Sequence, residues 1–129
     1  MPYELEALGY AGLIWVLHFL ITAFAGMGQL GLPYLLGNRD EQKTMSGVGG
    51  RLQRAMANYN EGLLLFGVAV VVVTLSQSSN ATTEMCAGIF LLARLLYIPA
   101  YASGVFLIRT AVWAVGFFAT LVMLVTALF

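Results

Sequence analysis

The sequence predicts an all-α membrane protein built as a bundle of four transmembrane helices. Three observations carry that prediction. Of 129 residues, 60% are hydrophobic and only 9% are charged, where an ordinary soluble domain carries about 25% charged residues. The mean hydropathy is +0.88. Four apolar stretches, at residues 8–32, 62–75, 85–101 and 105–129, are separated by polar segments. With no internal repeat and no shift in composition, residues 1–129 read as a single four-helix transmembrane domain.

Composition also excludes several classes. Six Lys+Arg balance six Asp+Glu, so no basic surface is available for nucleic acid. The lone Cys86 excludes an intrachain disulfide and a cysteine-rich metal site, and no metal site is expected. The start, Met1-Pro2-Tyr3-Glu4-Leu5-Glu6, is acidic where a secretory signal is basic, and the following apolar run is too long for one.

The first stretch, residues 8–32, exceeds the roughly 20 helical residues that cross a bilayer core. His18 falls in mid-span. With no second histidine to share a proton or a haem, it reads as an interhelical hydrogen bond. Gly26, Gly28 and Gly31 read as small residues that let helices approach closely. Trp15 and, in the fourth stretch, Trp113 read as packing or lipid-facing anchors. Residues 37–50 are charged and glycine-rich, the composition of a solvent loop.

The second stretch, residues 62–75, is too short to span alone. Its helix must include the polar segment before it and run from about residue 51 to 76. Within that segment Arg51, Arg54, Asn58 and Glu61 are spaced three, four and three residues apart. At 3.6 residues per turn they share one helical face. Charges at such depth are costly and persist where they are paired, wetted or used.

Residues 76–84 form a polar turn, and Thr83-Glu84 has the composition of a helix start. The Asn80-Ala81-Thr82 sequon sits in too short a turn to read as more than chance. In the third stretch Cys86 reads as a small packing residue, and Pro99 should kink the last turn near Tyr101. Arg94, Tyr97 and Tyr101, spaced three and four apart, share a face. Ala102-Ser103-Gly104 makes a tight turn, and Arg109 opens the fourth helix.

Topology follows from charge. Arg39, Lys43, Arg51 and Arg54 cluster at the first loop, and Arg94 and Arg109 flank the last turn. The opposite side carries Glu4, Glu6 and Glu84 and no Lys or Arg. The positive-inside tendency places both basic loops in the cytoplasm and both termini outside. Two polar faces at one depth then make either an ion-pair network, with Glu61 locked to an arginine, or a binding site.

Arg54-Ala-x-x-Asn58-x-x-Glu61, followed by Arg94-x-x-Tyr97-x-x-x-Tyr101 and Arg109, resembles the MAPEG superfamily, the membrane-associated proteins of eicosanoid and glutathione metabolism. The resemblance covers the second helix to the start of the fourth, with the four-helix layout throughout. It implies a MAPEG-like homotrimer, as in bacterial members, here in a bacterial inner membrane. It implies glutathione as co-substrate, bound between subunits near the cytoplasmic face. Arg54, Asn58 and Glu61 would hold the charged ends and backbone of the tripeptide. Arg51 would join them or anchor the helix at the interface. Tyr97 and Tyr101 would line the pocket, and Arg94 would pair with a glutathione carboxylate or with Glu61. Arg109 matches the arginine that activates the thiol in the family.

The residue types suit that ligand. Arginine forks bind carboxylates bidentately, and a glutamate suits an ammonium. A guanidinium beside sulfur favours the thiolate, which is the nucleophile of a thiol that otherwise ionises near pH 8.5. The family often has an arginine near the cytoplasmic end of the first helix, where residues 25–34 here offer only Gln29. After the glutamate the family often carries an aromatic residue or Asn, where this chain has Gly62. The expected activity is that of a glutathione transferase or peroxidase on lipophilic electrophiles drawn from the membrane. Two alternatives stand beside it: a non-catalytic relative binding a lipid or small molecule in the same cleft, and a proton-coupled exporter using Glu61.

Overall fold

The computed structural model describes residues 1–31 and 46–129, without the side chains of Val48, Tyr101, Ala102 and Phe106. Four α-helices run through these residues: α1 Tyr3–Gln29, α2 Gly47–Leu75, α3 Ala81–Ser103 and α4 Phe106–Leu128. All four are long and apolar enough to cross a membrane, which makes the chain an integral, multi-pass membrane protein. Arg39 and Lys43, of the predicted first loop, lie outside the described residues.

α1 packs on α2 and α3, while α4 packs on α3 and α2. Among the described residues α1 and α4 stand at opposite corners and do not touch. Lipid is as apolar as the bundle interior, so size rather than polarity sorts the side chains. Large residues such as Leu13, Phe24, Leu64, Leu107 and Phe118 face outward, while Ala7, Ala11, Ala69, Ala87 and Ala119 are buried where helices meet. Phe66 and Phe90 stack between α2 and α3, centroids 4.0 Å apart, beside Val70, Val73 and Met123. This core fills the half of the bundle away from the polar strip.

Several helix ends differ from the sequence reading: α2 begins at Gly47, inside the expected loop, rather than near Arg51, and two other helix starts move for polar reasons. α1 begins at Tyr3 rather than near Leu8. Glu4 is fully buried and accepts hydrogen bonds from Ser79 Oγ at 2.8 and 3.0 Å and from Thr83 Oγ1 at 2.6 Å. A carboxylate held at the N-terminus of α3 also meets the positive end of that helix. α3 begins at Ala81, before the predicted Thr83-Glu84 start, because Asn80 is the cap. Asn80 Oδ1 accepts from the Thr83 amide at 3.0 Å, and the Asn80 amide donates to Thr83 Oγ1 at 2.9 Å. That reciprocal pair satisfies two end groups at once. At its far end α3 runs through Pro99 to Ser103, past the predicted end at Tyr101.

The glycines of α1 divide. Gly26 is buried, whereas a side chain at Gly28 would meet nothing. Gly31 has a φ of 85° and follows the end of α1, the left-handed position that favours glycine. Close packing accounts for Gly26 alone of the three.

The Glu4 latch yields a stability test. Thr83→Val removes one donor and one cap partner from a buried carboxylate. It is expected to lower stability by roughly 1.5–3 kcal/mol, the usual range for a hydrogen bond to a charged group. Thermal unfolding in detergent should show the drop, and exposed Glu6→Gln should leave the midpoint unchanged.

Candidate functional site

The strip on α2 is divided by its own helical angle. At about 100° per residue, Arg51 and Asn58 lie nearer the buried face of Ala55, Tyr59 and Phe66, and Arg54 and Glu61 lie farther from it. Accordingly Asn58 is half-buried, whereas Arg54 and Glu61 are exposed. Among the described residues Glu61 makes no ion pair with an arginine, so no Glu61–Arg94 lock forms within the chain.

Arg94 is the centre of the polar half. It is 2% exposed. Nη1 and Nη2 each donate to Asn58 Oδ1 at 3.3 Å. Its Cζ lies 4.6 Å from the ring centre of Tyr59 and 4.4 Å from that of Tyr97. The guanidinium is therefore caged by two aromatic faces and one amide oxygen. Such cation–π contacts are worth about 2 kcal/mol or more when desolvated. Gly62 packs beside the group, and a Cβ there would touch the guanidinium at 3.7 Å, an ordinary van der Waals contact. Nε is buried with no hydrogen-bond partner, and no carboxylate reaches the group among the described residues.

A second layer holds the cage to α1. The Tyr59 hydroxyl donates to the Ala11 carbonyl at 2.6 Å. His18 is fully buried, and its Nε2 donates to the Leu52 carbonyl at 3.3 Å. The expected interhelical bond of His18 is therefore present, from α1 to α2. Trp15 Nε1 donates to Asn60 Oδ1 at 2.7 Å, so Trp15 ties the same two helices.

An open cleft of about 280 Å³ lies beside Arg94, lined by Asn58, Tyr97, Arg109, Thr110 and Trp113. α2, α3 and α4 each contribute to it. Arg109 stands in the first turn of α4, its amide donating to the Val105 carbonyl at 3.2 Å. A cation there works against the helix dipole, so the stability of α4 does not account for it. The positive end of α4 and the guanidinium both favour an anion in the cleft. A smaller void of about 30 Å³, lined in part by Gly62, Arg94, Trp113 and Gly116, continues beneath it.

Of the eight residues singled out in the sequence, Asn58, Arg94, Tyr97 and Arg109 come together. Arg54 and Glu61 stand on the outer face of α2. Arg51 reaches the turn between α3 and α4, where its guanidinium lies against Gly104. The side chain of Tyr101 lies outside the described residues. Sequence reasoning missed Tyr59, Thr110 and Trp113. Trp113 follows Arg109 at helical i,i+4 spacing, a signal that would have found it. Tyr59 is buried by the same 100° step that exposes its neighbours, and nothing in the sequence flags Thr110.

The cage makes a second test. Tyr59→Phe keeps the ring and loses the Ala11 bond, with an expected cost of about 0.5–1.5 kcal/mol. Tyr59→Leu also removes one aromatic face from Arg94 and should cost about 2 kcal/mol more. Paired thermal melts in detergent would check the order, which reverses if the cation–π contact is idle.

A search of curated proteins finds no match to the chain. The family model described as MAPEG family matches residues 7–129. That span covers nearly the whole chain, including all four residues brought together here and the α2 strip. The family is associated with glutathione and with transferase or related functions in membranes. By this match the chain belongs to the MAPEG family.

Proposed function

We propose that the protein is a glutathione-dependent transferase or peroxidase acting on lipophilic electrophiles. One observation carries the reading: among the described residues Arg94 is a buried cation without a carboxylate, and its contacts Asn58 and Tyr97 line an open cleft together with Arg109. A buried charge in that state calls for an anionic ligand. Glutathione brings two carboxylates, an ammonium and a thiol. Arg94 and Arg54 would take carboxylates, Glu61 the ammonium, and Asn58 the peptide backbone. Tyr97 and Tyr101 would wall the pocket, with Arg51 at its rim. Arg109 would hold the sulfur as thiolate. The sulfur then attacks an electrophilic carbon, the new C–S bond forms, and the leaving group departs with the bonding pair. With a hydroperoxide, sulfur takes the terminal oxygen and the alkoxide leaves.

Arg54 and Glu61 support an assembled site. Exposed charges on a spanning helix meet lipid in a lone chain, at considerable cost. A neighbouring subunit that covers them would remove the cost, and family membership supports reading that assembly as a homotrimer with glutathione between subunits. The basic loops would face the cytoplasm from a bacterial inner membrane.

A second reading has its own support. Gln29, which stands where the family often carries arginine, has its amide engaged. Its Nε2 donates to the Ser46 carbonyl at 3.0 Å and its Oε1 accepts from the Ser46 amide at 2.8 Å. α1 then brings no charge to the cleft, which favours a non-catalytic relative holding a lipid or small anion. Glu61 lies outside the lining of the cleft, so the exporter reading gains nothing from the geometry.

Glutathione at 100 times its Kd should stabilise the wild type by about 2.7 kcal/mol, seen as a raised thermal midpoint. Arg94→Gln should abolish that response. Conjugation to a reactive aromatic halide should fall roughly 10²–10³-fold in Arg109→Ala, as when a preorganised anion stabiliser is removed. Stabilisation without conjugation supports the second reading. Neither response in the wild type overturns the first.

A further inference from the structure

We propose that Arg51 is a positioning residue that clamps the α3–α4 turn and so fixes Arg109 over the cleft. The clamp stands on geometry, and its consequence for the thiol rests on the function proposed above. Gly104 has a φ of 77°, and a Cβ built on it would lie 3.1 Å from Arg51 Cζ, 3.2 Å from Nε and 3.3 Å from Nη2. The planar guanidinium therefore lies flat against the glycine. Only glycine meets both demands, the left-handed backbone and the missing side chain.

From Gly104 the connection to Arg109 is short and stiff. Ser103 Oγ donates to the Ala100 carbonyl at 2.7 Å and accepts from the Val105 amide at 3.3 Å, stitching the turn. The Val105 carbonyl accepts from the Arg109 amide at 3.2 Å. The orientation of the first turn of α4, and with it the root of the Arg109 side chain, thus follows the turn that Arg51 covers. On α2, Arg51 and Asn58 are seven residues apart, two turns along one face and about 10 Å in rise. Arg51 therefore holds the turn that leads into α4, two helical turns from Asn58, which lines the cleft with Arg109. Its charge also meets the negative end of α3. This work differs from ligand binding, the role its place in the strip suggests.

The test uses the full chain in detergent with Arg51→Ala, Arg51→Lys and Gly104→Ala. S-methylglutathione, which has no ionisable thiol, reads ligand contacts. The pH midpoint of thiolate absorbance for bound glutathione reads the placement of Arg109. Arg51→Ala and Gly104→Ala are both expected to raise that midpoint by about one unit, a tenfold loss of thiolate preference, with S-methylglutathione affinity held within about twofold. Arg51→Lys keeps the charge but loses the flat stack, and is expected to behave like Arg51→Ala. Trp113 emission in a Trp15→Phe background reads the cleft with no thiol present. It should shift in Arg51→Ala and Gly104→Ala and stay fixed in Arg54→Ala. An unmoved midpoint, a tenfold loss of S-methylglutathione binding in Arg51→Ala, or full rescue by lysine overturns the clamp. If the wild type neither binds nor ionises glutathione, the proposed function fails, and Trp113 alone decides the clamp: an unshifted emission overturns it.

Discussion

The polar half of this bundle depends on one buried charge. Arg94 is a guanidinium that cannot shed its proton, set within a membrane-spanning helix and 2% exposed. Its neighbours are what such a charge requires. Two aromatic faces supply attraction without a counter-charge, and Asn58 accepts from both terminal nitrogens. Tyr59, one of the two faces, is itself fixed by its bond to the Ala11 carbonyl. The cage thereby fastens α1, α2 and α3 around the charge. The opposite half is organised by ordinary packing of Phe66, Phe90 and small alanines, with the Glu4 latch at its end.

α2 carries both demands because a helix can present different chemistry on different faces. Tyr59 and Phe66 face the bundle, Asn58 sits on the boundary, and Arg54 and Glu61 face outward. The strip that shares one face in the sequence is split across that boundary by its own width. Its inner edge builds the cage, and its outer edge is left for whatever covers α2 in the membrane.

That split explains how far the sequence was legible. The four apolar stretches, with the short second one extended through its polar strip to reach spanning length, revealed four spans, because a bilayer sets a minimum that soluble folds do not. The spacing of Arg94 and Tyr97, and of Asn58 within its strip, marked one depth correctly, since helical periodicity fixes which residues neighbour one another. What stayed hidden depended on contacts between elements. Arg51 looked like a member of the binding strip until α2 and the α3–α4 turn were placed together. Glu4 looked like a topology signal until Ser79 and Thr83 surrounded it. Asn80 looked like part of a chance sequon, and its side chain instead caps α3. Arg51 and Glu4 act on partners distant in the chain, which single-sequence periodicity does not reveal, whereas Asn80 acts locally on Thr83.

The charge balance of the cleft bears on the chemistry proposed for it. Arg94 contacts Asn58 and Tyr97, which line the cleft, Arg109 lines it directly, and no carboxylate is among the described residues lining it. Glutathione with its thiol protonated carries one net negative charge at neutral pH, from two carboxylates and one ammonium. With the thiol ionised it carries two. A site with two guanidiniums matches the second form better than the first. Low dielectric sharpens the difference, because an unmatched charge is costly there. The electrostatics that would bind the tripeptide in the proposed site would thus also favour loss of its thiol proton. Binding energy would be directed to the reactive form, and ground-state affinity need not be high for the sulfur to be activated.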